Sequence, residues 1–86
     1  MDVAAVRARL EVQLNSDEAW ELVKTFRVYR ERSTVTVELY HHPAHGWRVH
    51  ATDQSGRVAT GNPEPELEVA LMTTHWAELN RGDPIG

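Results

Sequence analysis

The side chains best suited to chemistry lie in one stretch, from Tyr40 to His50 (YHHPAHGWRVH), which carries four of the five histidines in an 86-residue chain. A zinc site would need three or four ligands converging at roughly 2 Å. Neighbouring His41 and His42 point to opposite faces of one strand, so they do not serve one ion together. A bent loop gathering His42, His45 and His50 is the alternative to a solvated hairpin turn, and the turn is the simpler reading. Acid–base work is the second possibility, with Glu38 opposite His50 and Tyr40 beside them. On an open sheet such a contact is ordinarily a surface ion pair. Ser16, Ser33 and Ser55 fall at a cap, a strand entrance and a turn, and no nucleophile-elbow sequence surrounds any of them. Cysteine is absent, which removes thiolate zinc sites, disulfides and a thiol nucleophile. Neither a metal, a cofactor nor an enzymatic activity is expected.

The elements that would position these residues follow from periodicity. In Ser33–His41, Val35, Val37, Leu39 and His41 share one parity against Thr36, Glu38, Tyr40 and His42, and Trp47, Val49 and Ala51 alternate in the same way. Their apolar faces coincide only if the hairpin loop has an odd length, such as Pro43-Ala44-His45. This register pairs His41 with Trp47, Leu39 with Val49 and Val37 with Ala51 on the core side. On the other side Tyr40 meets Arg48 and Glu38 meets His50. A second hairpin through Asp53–Gly56 is expected to bring Val58 opposite Ala51 and Thr60 opposite Val49, also on the core side.

Upstream, Val6, Ala8, Leu10, Val12 and Leu14 alternate with polar residues, which favours a strand over the helix that Val3, Val6, Leu10 and Leu14 would also allow. Asn15 or Ser16 then reads as the N-cap of a short helix to Phe26, burying Ala19, Trp20, Leu22, Val23 and Phe26. Downstream, Asn62 and Pro63 open a helix whose wide apolar arc includes Leu67, Val69, Leu71, Met72, Trp76 and Leu79, with His75 on its core face. The expected fold class is α+β, in the order β-α-β-β-β-α, with both helices on one face of an antiparallel sheet. Residues 1–81 form one domain and 82–86 a flexible tail, so Arg81-Gly82-Asp83 reads as a helix end, not as an adhesion motif.

The formal net charge of -4, with Lys24 the single lysine, disfavours nucleic acid as a partner. No apolar run approaches the ~20 residues of a membrane span, and the first residues build no signal-peptide core, so a cytoplasmic location is expected. The wide arc of the second helix exceeds what one sheet covers, which points to a protein partner or a homodimer centred on Met72 or Trp76. Tyr40, Arg48 and His50 on the open sheet face are the other candidate interaction residues. The expected function is a non-enzymatic protein-interaction module of antitoxin, inhibitor or regulatory-subunit type. The alternatives are a double-stranded-RNA-binding module and a small metal-binding or hydrolytic protein built on the histidine hairpin.

About half the chain, through Gly46-Trp47, Thr60-Gly61, and Glu66 with Ala70 and Leu71, resembles the HicB-type antitoxin domain. The resemblance implies a toxin-neutralising, dimerising domain with a fold like that of double-stranded-RNA-binding domains.

Overall fold

The computed structural model describes residues 2–16 and 18–80. Arg81-Gly82-Asp83, expected as a helix end, and the rest of the tail 82–86 lie outside the described residues. The fold is α+β: helix α1 (Val3–Gln13), strands β1 (Glu21–Tyr29), β2 (Thr34–His42), β3 (Gly46–Asp53) and β4 (Val58–Thr60), helix α2 (Leu67–Thr73) and a 3-10 turn (Trp76–Asn80). The strands form one antiparallel meander in the order β1-β2-β3-β4.

The β2–β3 register agrees with the expectation at every pair, from Val37↔Ala51 and Leu39↔Val49 to Glu38↔His50 and Tyr40↔Arg48. Val35, Val37, Leu39, Val49, Ala51 and Ala59 form the buried face, with Ala70 and Leu79 packed over it and Trp47, Leu67, Leu71 and Trp76 at its margin. Gly46 sits at φ +93, and the backbone of Glu64 lies so close that a Cβ there would overlap its carbonyl. Trp47 and Glu64 exchange backbone hydrogen bonds of 2.7 and 2.9 Å across this approach.

The first two elements are exchanged relative to the expected strand and helix. Residues 3–13 are helical because Ala4, Ala5, Arg7, Ala8, Arg9, Leu10 and Glu11 are strong helix formers, and the Asp2 carboxylate caps the Ala5 amide at 3.3 Å. Asn15, at φ 51, does not open a helix but closes one. The Ser16 amide donates to the Glu11 carbonyl and the Asn15 amide to the Val12 carbonyl, the paired bonds of a left-handed C-terminal cap. The segment 21–29 is rich in Val, Thr, Phe and Tyr, and it takes the pleated conformation those side chains favour. A bulge at Val23 lets Leu22 face Tyr40 while Lys24 faces Leu39.

Two further expectations are corrected. The β3–β4 register is Ala51↔Ala59 and Thr52↔Val58, one residue from the expected pairing, so Ala59 is buried and Val58 is exposed. The tighter loop is built by Asp53, whose Oδ1 accepts from the amides of Ser55 and Arg57 and from the Ser55 hydroxyl, with Gly56 at φ +94. The C-terminal helix begins at Leu67, not after Asn62, because Glu64 is held in the bridge to Trp47 and precedes Pro65, which disfavours helical backbone there. It also ends early. The His75 amide donates to the Thr60 carbonyl, and His75 is exposed, not part of the core.

Both helices do not share a sheet face. α2 lies on the side of Val49 and Ala51, whereas α1 reaches His42, whose parity puts it on the side of Glu38 and Tyr40. α1 buries no residue of its own. The molecule is accordingly long, 47 Å against 24 and 22 Å. Among the described residues no helix is long and apolar enough to cross a membrane.

Candidate functional site

Alternation along β2 and β3 places Glu38, Tyr40, Arg48 and His50 on the sheet face that α2 leaves open. Tyr40, Arg48 and His50 line a shallow depression of about 280 Å³, and Trp20, from the connector before β1, forms its remaining wall. Glu38 Oε1 stands 3.4 Å from His50 Nδ1 across the strands, both side chains about one-third exposed. Burial, then the neighbouring Glu38 carboxylate as hydrogen-bond acceptor and negative charge, pushes the Tyr40 phenol above its ordinary value. A phenol held protonated is a donor, not a base. A second hollow on this face, about 380 Å³, is lined by Arg27, Tyr29, Thr34, Thr36, Thr52, Asp53 and Gln54.

At the end of the same face lies a cluster with no counterpart in the sequence reading. The Trp20 ring sits 5.6 Å from His42 and 5.8 Å from His45, near-parallel to the latter, and the two imidazoles are 4.6 Å apart. Trp20 Nε1 donates to Glu18 Oε1 at 2.7 Å. His42 Nε2 meets Glu11 Oε2 at 3.3 Å, and that carboxylate also accepts the Ala19 amide at 2.9 Å. The Ala19 amide first, then His42, holds the Glu11 carboxyl below the usual range. His42 is buried, in contrast to the solvated histidine expected of a turn. Its Nδ1 accepts the Ala44 amide, so the ring locks the hairpin to α1. His50 stands apart on Glu38, and among the described residues no three His, Asp or Glu side chains converge as metal ligands.

The serines have structural partners. Ser16 bonds Glu18, Ser33 accepts from Arg30, and Ser55 donates to Asp53. Met72 and Trp76 lie on the opposite side of the sheet from Tyr40, Arg48 and His50. Trp76 is partly buried with its indole donating to the Leu71 carbonyl at 2.7 Å, while Met72 is 80% exposed. The five candidate interaction residues therefore belong to two separate surfaces.

Exposed apolar side chains line β1, whose residues up to Phe26 were expected in a helix. It is an edge strand whose Leu22, Val23, Phe26, Val28 and Tyr29 are all exposed. The opposite edge is closed, since β4 receives the His75 amide and β3 is extended by Glu64. Alternation of hydrogen bonding from Arg30 N–H to Ser33 leaves the amides and carbonyls of Thr25, Arg27 and Tyr29 pointing away from β2. Val3, Val6 and Leu10 of α1 add a half-exposed apolar stripe beside Trp20. An uncovered β1 was detectable only as a Val-, Thr- and aromatic-rich run.

The fold defines a small α+β domain with one open and one closed sheet edge. Comparison with family models, with curated proteins and with solved structures gives no match.

Proposed function

We propose that the domain is a non-enzymatic protein-interaction module, of inhibitor, antitoxin or regulatory-subunit type, that works through strand β1. One observation carries this reading: Leu22, Val23, Phe26, Val28 and Tyr29 are all exposed on a strand that forms an unpaired sheet edge. Natural sheets blunt such edges with short strands, proline, charges, bulges or covering segments; β4 is short and covered, whereas β1 carries Lys24, Arg27 and the bulge at Val23. β1 is nine residues long and has no proline. An edge of this length with five exposed apolar side chains suits strand addition by a partner.

The open face supports a binding role over catalysis. Its hollows are shallow, so water has free access to the Glu38–His50 pair, and no serine lies among their lining residues. A nucleic-acid partner is disfavoured by the net charge of -4 and by Glu66 and Glu68 at the start of α2.

Site-specific photocrosslinking in cells tests the reading. A benzoylphenylalanine at Tyr29, which is 77% exposed, is expected to give a discrete protein adduct, and the same probe at Glu68 on α2 is expected to give none. Equal adduct patterns at the two positions, or none at Tyr29, would overturn the assignment of β1 as the binding edge.

A further inference from the structure

The geometry points to a second copy of this chain as the occupant of β1, paired antiparallel about a two-fold axis at Phe26, so that two four-stranded sheets join into one of eight. This rests on β1 being the binding edge and identifies what it binds.

The strand is self-complementary in one register. A two-fold antiparallel pairing can be centred on Lys24, Thr25 or Phe26 with the outward amides still opposed to outward carbonyls. Centring on Lys24 sets two ammonium groups against each other. Centring on Thr25 opposes Leu22 to Val28, which lie on different faces because the bulge at Val23 intervenes. Centring on Phe26 pairs Phe26 with itself, Thr25 with Arg27 and Lys24 with Val28, a ladder from 24 to 28 in each chain that stops short of the bulge at Val23. No like charges stand opposite in it. On the buried-face side, Phe26 and Val28 continue the row of Val37 and Val35, beyond the part of the sheet that α2 covers. There the two Phe26 rings would meet, flanked on each side by Val28 against the Lys24 stem of the other copy.

The contact is small. Val23, Phe26, Val28 and Tyr29 are 43 to 77% exposed, and with their backbone they offer on the order of 500 Å² per chain, below the about 800 Å² per partner of a standard interface. A contact of this size belongs to the weak, reversible class, to be looked for at roughly 1–100 μM.

Sedimentation equilibrium of the full chain over this concentration range, with amide hydrogen exchange, reads the proposal directly. The expected result is a monomer–dimer equilibrium in which the Thr25 and Arg27 amides gain protection as concentration rises. Phe26→Lys and Phe26→Glu should each raise the dissociation constant more than ~30-fold, since like charges then meet on the axis. An equimolar mixture of the two should restore dimer, because each chain meets its opposite at that position. A native chain that stays monomeric with those two amides unprotected would overturn self-pairing, while an adduct of a different protein at Tyr29 would leave the binding-edge reading intact. A dimer that survives both single substitutions would place the contact elsewhere and overturn it equally.

Discussion

Glu11 Oε2 stands 3.3 Å from His42 Nε2 and 2.9 Å from the Ala19 amide, so one carboxylate ties α1, the connector and the end of β2 together. α1 buries nothing, and this carboxylate is a principal tether holding it to the sheet. Because the Glu11 carboxyl is held below its ordinary value of 4.5, the contact is present above the unfolded-state value and is lost as pH falls through the lower folded value. Trp20 fluorescence should therefore change with a midpoint below pH 4.5, and Glu11→Gln should produce the same change at neutral pH with the melting of the sheet nearly unmoved. A Trp20 signal that is flat in both experiments would show that the tether does not set the connector's position.

Gly46 marks the closest approach of two backbone segments. Gly46→Ala adds a methyl group where the Glu64 carbonyl lies, at a φ of +93 that L-residues avoid. The cost of the left-handed conformation alone is about 1–2 kcal/mol, and displacing Glu64 adds to it. Urea unfolding should show a lower midpoint with an unchanged slope, and the Trp47 and Glu64 amides should exchange faster.

Val49 is the largest fully buried side chain of the sheet, at 1% exposure. Val49→Ala should cost roughly 2–3 kcal/mol, from two lost methyl groups and the space they leave. Val58→Ala, one strand away on an exposed position, should cost less than about 0.5 kcal/mol. Comparable losses in thermal unfolding at the two sites would contradict the observed β3–β4 register.

The Tyr40 phenol should titrate above 10 in ultraviolet difference spectra. Glu38→Gln removes the adjacent charge and should lower that midpoint part of the way, leaving the contribution of burial, which is the larger cause. An unchanged midpoint would mean that Glu38 turns away from Tyr40 in solution.

Asp53 organises the β3–β4 loop, and its carboxyl is held below the ordinary 3.8 first by the Ser55 hydroxyl and then by the amides of Arg57 and Ser55. The loop's contribution is therefore present at neutral pH and disappears as pH falls through the lowered value. Asp53→Ala should speed exchange of the Arg57 amide at all pH values, whereas Asp53→Ser should retain part of its protection.

The amino-acid order by itself determined the β2–β3 hairpin. Val35, Val37 and Leu39 must lie on the same side as Val49 and Ala51, and a slip of one residue would turn every one of them into water. From that hairpin followed the placement of Glu38, Tyr40, Arg48 and His50 on the open face. Alternation could not decide the segments whose apolar residues suit both periods. Residues 6–14 alternate, yet they form a helix, because local propensity and the left-handed cap at Asn15 outweigh a pattern that no neighbouring strand rewards. Residues 21–29 show helical spacing, yet they form a strand, because β2 offers them hydrogen bonds along its free edge. Ala59 displaced Val58 from the core because the three-residue turn built by Asp53 governs that register, and the small side chain fits where Thr60 and Val58 were expected. The Trp20, His42 and Glu11 cluster joins residues 31 positions apart, and no spacing rule reaches that far. Tertiary structure alone decided it, as it decided that Leu22, Val23 and Phe26 lie exposed on an edge strand while Trp76 of the C-terminal segment packs against the core: both depend on which elements end up beside one another once the chain has closed its core.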